Sequence, residues 1–592
     1  MAVPRYAADF ETTTIEPATV WAWGIANTET PEDVEFGTDI ESFLEWCQKQ
    51  KKNPIVYFHN EKFDGSFIID YLLRNGYVWK KEKGKCNERE FTTIIDNFNK
   101  FYSIEIYWKR SGHKVKKVTI YDSFKIIPMK VEFAAKKFGL TIQKLEIDYD
   151  RHNVPCKITS EEWQYLRHDV SIMAQILKIC FEFGMTKMTL AGCCMADYKA
   201  QITQKQFERW FPKPPIDVDR RMRKAYKGGW TYCLPDNAGR EVGEGLVFDV
   251  NSLYPSQMAQ RPLPFGVPMY FQGKYKPNPD YPLYIQHFRC RFQIKQNKLP
   301  MIQLKGNMRF CPTEYLTTSG YETVELCLAS PDMMLFFRHY DVFDIEWLDG
   351  WCFRESKILF SEWVSKWANR KIAAEQAGNA ALRQICKLFM NSLYGRFCIN
   401  PFRKSKMPVW NAEKEIVQYK PILQPSTRAD GSIVRDAAGN IVYTDYELTE
   451  PVYLPVGIFI TAWARFTTIS AAQKVHEESI LATGHSRFCY ADTDSIHILG
   501  TDIPEGLDVD PYRLGAWKCE SHFTRAKFLQ AKRYIEEIDG NLKVTCAGMP
   551  AACHEHVTFE NFNIGAIYEG KLVTKTVKGG TILVPTPFEM KG

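Results

Sequence analysis

The sequence predicts a multidomain protein of α/β and α+β units, and three observations carry that expectation. Length is the first: 592 residues, at about 100–200 residues per domain, allow roughly three to five domains. The second is the stretch up to about residue 190, where short apolar strands alternate with helical runs, as in a compact α/β unit. The third is the change that follows, to a Pro- and Tyr-rich region of short strand-like runs and then to long helical runs. A hydrophobic content of 45% is enough to build more than one core.

Taken in order, "RYAADFETT" is a short strand carrying acids and "PIVYFHN" is a second strand. "TSEEWQYLRHDVSIMAQILKICFEF" is a long helix opened by a capping box, Thr159 with Glu162 three residues on. "WFPKPPIDVD" reads as a linker or rigid turn. "GLVFDVNSLYPSQM" is a buried strand, a turn and a helix, and residues 261–350 form a mixed, β-rich insertion. "FSEWVSKWANRKIAAEQAGNAALRQICKLFMNSLYGRF" reads as helices broken near Gly378. Residues 401–451 are polar and punctuated by Pro and Gly, with a hairpin expected around residues 436–440.

A net charge of +6 and an isoelectric point of about 8.4 permit a nucleic-acid partner without demanding one. The 17 cysteines are odd in number and follow no framework. The N-terminus lacks an apolar signal core, and no run reads as long enough to span a membrane. These features fit a soluble protein of a reducing cytoplasm. Cys546, Cys553, His554 and His556 cluster in "CAGMPAACHEH", but paired CxxC spacing is missing, so ordinary thiols compete with a zinc site.

"FCYADTDSIHI" places Asp492 and Asp494 two apart inside an apolar run. Either this is a strand–turn–strand with a solvated tip, or the two carboxylates share a divalent cation. Asp249, closing the apolar run "GLVF", is costly to bury unless paired or metal-bound, and otherwise merely starts a turn. Another set of acids lies before residue 170. Asp9 and Glu11 share a strand face, Asp64 follows the second strand, and Tyr165 and Asp169 share one side of the capped helix. Converging, these groups would hold two divalent cations through oxygen ligands and could hydrolyse a phosphodiester; singly, each is an ordinary surface charge. Arg383, Lys387, Asn391 and Tyr394 form one polar stripe on their helix, suited to a triphosphate and a base, or simply a solvated face.

The motifs together resemble one family, the family B DNA polymerases, in the protein-primed branch of phi29-like phages. "DFE" (Asp9–Glu11), "NEKFD" (Asn60–Asp64) and "YLRHD" (Tyr165–Asp169) are similar to its three exonuclease motifs. "YKGG" (Tyr226–Gly229) resembles the motif joining the two activities. "DVNSLYP" (Asp249–Pro255), "KLFMNSLYG" (Lys387–Gly395) and "YADTDS" (Tyr490–Ser495) resemble polymerase motifs A, B and C. "TAWAR" (Thr461–Arg465) resembles the primer-template contact motif, and "KRY" (Lys532–Tyr534) the Lys-x-Tyr motif. Nine motifs in order over about five hundred residues is a specific pattern.

The resemblance implies an RNase H-like 3′–5′ exonuclease domain followed by a right-hand polymerase of palm, fingers and thumb. The implied domains are 1–190 exonuclease, 191–260 first palm part, 261–358 an insertion meeting the priming protein, and 359–398 fingers. A strand-displacement and processivity insertion (399–453), a second palm part (454–546) and a thumb (547–592) follow. The second insertion is longer than the pattern, and the segment after "KRYIEEIDGN" is shorter. The resemblance further implies two Mg²⁺ per active site, with Mn²⁺ as a substitute. Asp249, the Val250 carbonyl, Asp492 and Asp494 would bind one pair; Asp9, Glu11, Asp64, Asp169 and Glu146 would bind the other.

Tyr254, Lys371, Arg383, Lys387, Asn391 and Tyr394 would hold the nucleotide, with Tyr254 excluding a 2′-hydroxyl and Tyr165 orienting the attacking water. His59, Asn60, Phe67, Tyr226, Gly228, Gly229, Thr461, Arg465, Lys532 and Tyr534 would contact DNA. The implied partners are primer-template and single-stranded DNA, deoxynucleoside triphosphates and a terminal priming protein. The enzyme would act as a monomer, away from membranes, in the cytoplasm of an infected bacterium. Two rival readings are a stand-alone nuclease, which leaves Asp249, Asp494 and Lys387 idle, and an inactive nucleic-acid-binding protein, which leaves both acid sets unexplained.

Overall fold

The computed structural model describes residues 3–111, 114–303, 315–427 and 432–591. The N-terminal unit is built on a mixed sheet. Ile55–Phe58, almost wholly buried, runs parallel to Arg5–Thr12 on one side and to Lys114–Asp122 on the other. A strand paired on both edges and covered on both faces can be apolar throughout, which is why "IVYF" shows no alternation. Val20–Asn27 pairs antiparallel with Arg5–Thr12. The helix Ser160–Glu182 lies on this sheet and opens as the sequence predicts: the Glu162 amide donates to Thr159 Oγ1 at 3.2 Å, and the Thr159 amide donates to Glu162 Oε2 at 2.8 Å. It buries Leu166, Val170, Met173 and Leu177. Gly24 is needed beneath it, since a Cβ there would lie 2.8 Å from Leu166.

The same sheet continues into a distant part of the chain. The edge strand Glu90–Asp96 pairs with Phe402–Asn411 through Asp96↔Ser405 and Ile95↔Lys406, and Phe402–Asn411 pairs with Ile416–Pro421. The insertion thus caps an edge that would otherwise offer unpaired backbone groups. This hairpin, not the one expected at residues 436–440, is the insertion's main ladder. The later segment does turn, with the Asp436 amide donating to the Asn440 carbonyl at 2.9 Å, but only isolated bridges such as Arg435↔Ile441 flank it. "FRKSKMPVWN" escaped notice because its lysines and Pro408 mask any period of two.

The centre of the chain carries a five-stranded antiparallel sheet in the order Trp517–Phe523, Gly245–Val250, Ser495–Leu499, Phe488–Asp492, Thr231–Cys233. A second four-stranded sheet, ordered Leu263–Gln272, Tyr340–Ser356, Leu283–Ile294, Val324–Ala329, forms the β-rich insertion. Helices Ser361–Gln376 and Ala380–Ser392 form a hairpin whose turn holds Gly378 at φ +66°, as its position predicts.

The 30-residue helix Leu454–Thr483 runs through the middle of the protein. By length and composition it could cross a bilayer, which corrects the reading that no such run exists. Here 78% of its apolar window is buried inside the protein, so it is apolar all round because neighbours cover every face. At the C-terminus, the hairpin Ile567–Val577 and Gly580–Glu589 returns to the first domain. Val577 joins that domain's core, and the Ala18 amide donates to the Lys578 carbonyl at 2.8 Å.

Candidate active site

Asp249 is the penultimate residue of its strand and stands between two neighbours, paired with Ser495 on one side and Lys518 on the other. Asp492 ends its own strand, and Asp494 lies in the two-residue turn leading to Ser495. The turn is tight: Thr493 has φ +64°, uncommon for a β-branched residue. Its amide donates to the Trp230 carbonyl at 2.8 Å, and its carbonyl accepts from Thr468 Oγ1 at 2.8 Å. Gly229 must be glycine because a Cβ would lie 2.6 Å from the Thr493 side chain. The Val250 amide donates to the Asp494 carbonyl at 2.8 Å, binding the two halves of the acid set through backbone. "YADTDS" is therefore a strand–turn–strand, though its tip is partly buried, and a third acid from a remote strand meets it.

Burial raises the Asp249 carboxyl to about 7, with repulsion from Asp494 and Glu520 adding and the charges of Lys387 and Lys518 offsetting. Asp494 is likewise raised, chiefly by burial and then by Asp492 and Glu520, against the pull of Lys532. Lys532 Nζ sits 2.6 Å from Asp492 Oδ1. On the helical hairpin, Lys387 and Asn391 are exposed, and Arg383 Nε lies 3.4 Å from Glu375. Lys371 is lowered by burial and by Arg383, Lys387 and Lys518, so the tertiary structure gathers these cations together. Tyr254 and Tyr394 stack with ring centroids 4.5 Å apart and planes 22° apart.

The first acid set assembles at the end of the N-terminal sheet. The Phe10 amide, between Asp9 and Glu11, donates to Asp64 Oδ1 at 3.3 Å. Burial raises Asp9 to about 7, assisted by Asp169; Glu11, Asp64 and Asp169 are also raised, burial being the main cause in each. Tyr165 is pushed well up by burial and by Glu11 and Asp169, and its hydroxyl lies 3.0 Å from that of Tyr149. Lys144 pairs with Asp169 and lies 4.9 Å over the Tyr165 ring. Glu146 departs from expectation: it is exposed and forms no ion pair or hydrogen bond with this set, while Lys144, two residues earlier, enters instead.

Among the described residues, no three acidic, histidine or cysteine side chains already stand as a closed coordination shell, the Cys546–His556 cluster included. The donor sets nevertheless suit hard cations. Every donor atom these sets offer is oxygen, the carboxylates repel one another in a low-dielectric setting, and Asp169 Oδ1 is buried without a partner.

Several residues expected to touch DNA are instead committed within the protein. Arg465 is buried; its Nε and Nη2 donate to Asp332 at 3.0 and 2.6 Å, and its Nη1 donates to the Lys227 and Gly228 carbonyls at 2.7 Å each. Asp332 thus anchors the guanidinium through Nε and Nη2, while Nη1 clamps the "YKGG" loop. The Thr461 hydroxyl bonds back into its own helix at 3.1 Å. Both His59 ring nitrogens are engaged, with Ser123 Oγ at 2.9 Å and the Met129 carbonyl at 2.7 Å. Phe67 is buried against Gly580, and Tyr534 is buried beside Tyr490 and Phe528. Asn60, at φ +75°, remains exposed, with its amide on Asp122 Oδ1 at 3.0 Å. Tyr226 is half-buried, and the space around Gly228 is open. Sequence reasoning missed Asp332, Lys518 and Glu520, each on an element whose pairing or packing with the acid strands no local pattern announces.

Fold and site together define a nucleotidyltransferase. Residues 47–506 match the family described as DNA polymerase type B, organellar and viral, and the chain belongs to that family. Over its full length it is 39% identical to the DNA polymerases of Bacillus phage M2 and Bacillus phage phi29, covering 100% of each. It is 31% identical to the DNA polymerase of Streptococcus phage Cp-1, covering 98% of that protein. Two solved structures of phi29 DNA polymerase align over 100% of both chains with a TM-score of 0.88. One, in a binary complex with primer-template DNA, is 37% identical; the other, a ternary complex with incoming nucleotide, is 38% identical. The fold is accordingly an exonuclease-type domain followed by a right-hand polymerase, and the enzyme is a phage-type DNA polymerase.

Proposed function

We propose that the protein is a replicative polymerase with two separate phosphoryl-transfer sites, one adding nucleotides and one removing them from a 3′ end. The observation that carries this reading is the existence of two acid sets on different sheets, Asp249 with Asp492 and Asp494, and Asp9 with Glu11, Asp64 and Asp169. Only the first faces a group of cations from the helical hairpin. Asp249, Asp494, Asp492 and the Val250 carbonyl would hold Mg²⁺ or Mn²⁺ at the first site, and Asp9, Glu11, Asp64 and Asp169 at the second. Bound there, the ions would lower the pKa of the attacking hydroxyl or water and offset charge on the leaving oxygen.

The chain's own groups supply the rest. Lys371, Arg383 and Lys387 present fixed positive charge for a triphosphate. The Tyr254–Tyr394 stack forms a wall for sugar and base. The primer 3′-oxygen bonds to the α-phosphorus, and the bond to the bridging oxygen breaks to release pyrophosphate. In the second site, Tyr165 is held protonated by its buried, acidic surroundings and can orient a water; Lys144 balances the carboxylates. The full-length likeness to phage enzymes supports protein priming, strand displacement and action in the cytoplasm of an infected bacterium.

The test is a primed single-stranded template with Mg²⁺ and nucleotides, resolved on a gel. The reading requires a growing ladder with nucleotides and a shortening primer without them. Shortening alone would leave a nuclease, and a mobility shift alone would leave a binding protein.

A further inference from the structure

The strand Trp517–Phe523 flanks the Asp249 strand on the side away from the Asp492–Asp494 turn. Its antiparallel register sets Lys518 directly opposite Asp249 and Trp517 opposite Val250. Residues so opposed share one sheet face, with Cβ atoms about 4.5–5.5 Å apart. Trp517 is buried, so Lys518 and Asp249 occupy the other, open face. One step along, the ladder slips: Phe248 pairs with Cys519 and Val247 with Ser521, leaving Glu520 as the extra residue of a bulge.

Lys518 is exposed, and among the described residues no hydrogen bond or ion pair within 4.0 Å holds it. Its charge still reaches two elements. It is one of two cations that offset the rise of Asp249, and one of three that depress Lys371 on the facing helix. Four cations, Lys371, Arg383, Lys387 and Lys518, therefore act on one another across the space in front of Asp249, and among the described residues the one ion pair within 4.0 Å that they form is Arg383 with Glu375 at 3.4 Å. Gathered like charges are unfavourable until an anion of comparable charge enters.

We propose that Lys518 is a palm-side phosphate ligand, contacting the β- and γ-phosphates of the incoming nucleotide and holding pyrophosphate as it leaves. This rests on the polymerase reading above. As the α-phosphorus bonds to the primer oxygen, its bond to the bridging oxygen breaks and the electron pair departs on pyrophosphate. Lys518 offsets that growing charge and moves no proton. An ammonium on a flexible stem suits a group that must first be bound and then released.

The experiment compares the full-length protein with its Lys518→Ala and Lys518→Arg variants in single-nucleotide primer extension, with pyrophosphate as product inhibitor. Lys518→Ala is expected to raise both the nucleotide KM and the pyrophosphate inhibition constant about tenfold, the size of one lost charge-assisted hydrogen bond. Lys518→Arg should recover most of that loss. Single-strand degradation and duplex affinity should stay unchanged, which separates phosphate contact from misfolding. Unchanged KM and inhibition constants in Lys518→Ala would overturn the proposal, as would a fall in duplex affinity that accounts for the whole effect. Failure of the unsubstituted protein to extend a primer would instead strike the polymerase reading, and this proposal with it.

Discussion

Tyr254 and Tyr394 stack with ring centroids 4.5 Å apart, although one follows the Asp249 strand and the other follows the Lys387 helix. Each ring fixes the other, so the wall they form cannot swing aside as a lone side chain could. Tyr254→Val should remove half of it and open space for a 2′-hydroxyl. The ratio of incorporation efficiency for deoxy- over ribonucleotides should drop by at least about tenfold, since exclusion by shape is what is lost. Tyr394→Ala should produce a weaker loss in the same direction by freeing Tyr254. An unchanged ratio in both variants would reduce the pair to packing.

The two acid sets should be separable by substitution. Asp249→Ala or Asp494→Ala should slow nucleotide addition about a thousandfold or more while single-strand degradation continues. Asp9→Ala combined with Asp64→Ala should do the reverse. Tyr165→Phe should slow degradation without weakening single-strand binding. Primer extension and degradation assays on the same preparations decide it, and synthesis surviving in Asp249→Ala would sink the assignment.

Arg465 is buried, and all three nitrogens of its guanidinium are engaged inside the protein, by Asp332 and two loop carbonyls, with four of its five N–H groups used. Its influence on primer-template binding should therefore pass through the loop it clamps. Asp332→Ala, which leaves Arg465 in place, should destabilise the fold by about 3–5 kcal/mol, the cost of stranding a buried charge. It should also weaken duplex binding as Arg465→Ala does. Denaturant midpoints and gel shifts on both variants are the measurement; a normal duplex affinity in Asp332→Ala would restore Arg465 to direct contact.

Glu61 is wholly buried, and neither carboxylate oxygen has a partner. Burial, with Asp122 and Asp64 adding, raises its pKa well above the ordinary range. A folded pKa above the unfolded one means that the side chain's contribution to stability is complete below the unfolded value and is lost as pH rises through the folded one. Glu61→Leu should therefore stabilise the protein at neutral pH by about 1–3 kcal/mol. The gain should shrink as pH falls toward 4. A thermal midpoint difference that does not vary between pH 5 and pH 8 would show that Glu61 is not the titrating group.

The second insertion has two structural parts, and they should fail differently. Removing 404–446 strips the strand that caps Glu90–Asp96 and should destabilise the first domain. Replacing only 426–442 with a short Gly linker keeps that ladder. The shorter deletion should leave gap filling intact and reduce synthesis through duplex and product length per binding event. Equal strand displacement by the shorter deletion and the parent would remove the segment from that role.

The sequence by itself determined the acids and the capped helix, because those signals are local. A capping box, an i and i+4 pair, or an acid closing an apolar run can be read within a few residues, and nine motifs in order made the family legible. Tertiary structure alone decided which neighbours those acids have. Lys518 faces Asp249 only because two strands some 270 residues apart pair in one register and not the next. Lys144 rather than Glu146 enters the first site because of how an irregular segment lies against a helix. Arg465, Phe67 and Tyr534 look like surface contacts in the motifs and are buried in the fold. Register, burial and cross-chain pairing are set by the packing of remote segments, and no period of 2 or 3.6 residues encodes them.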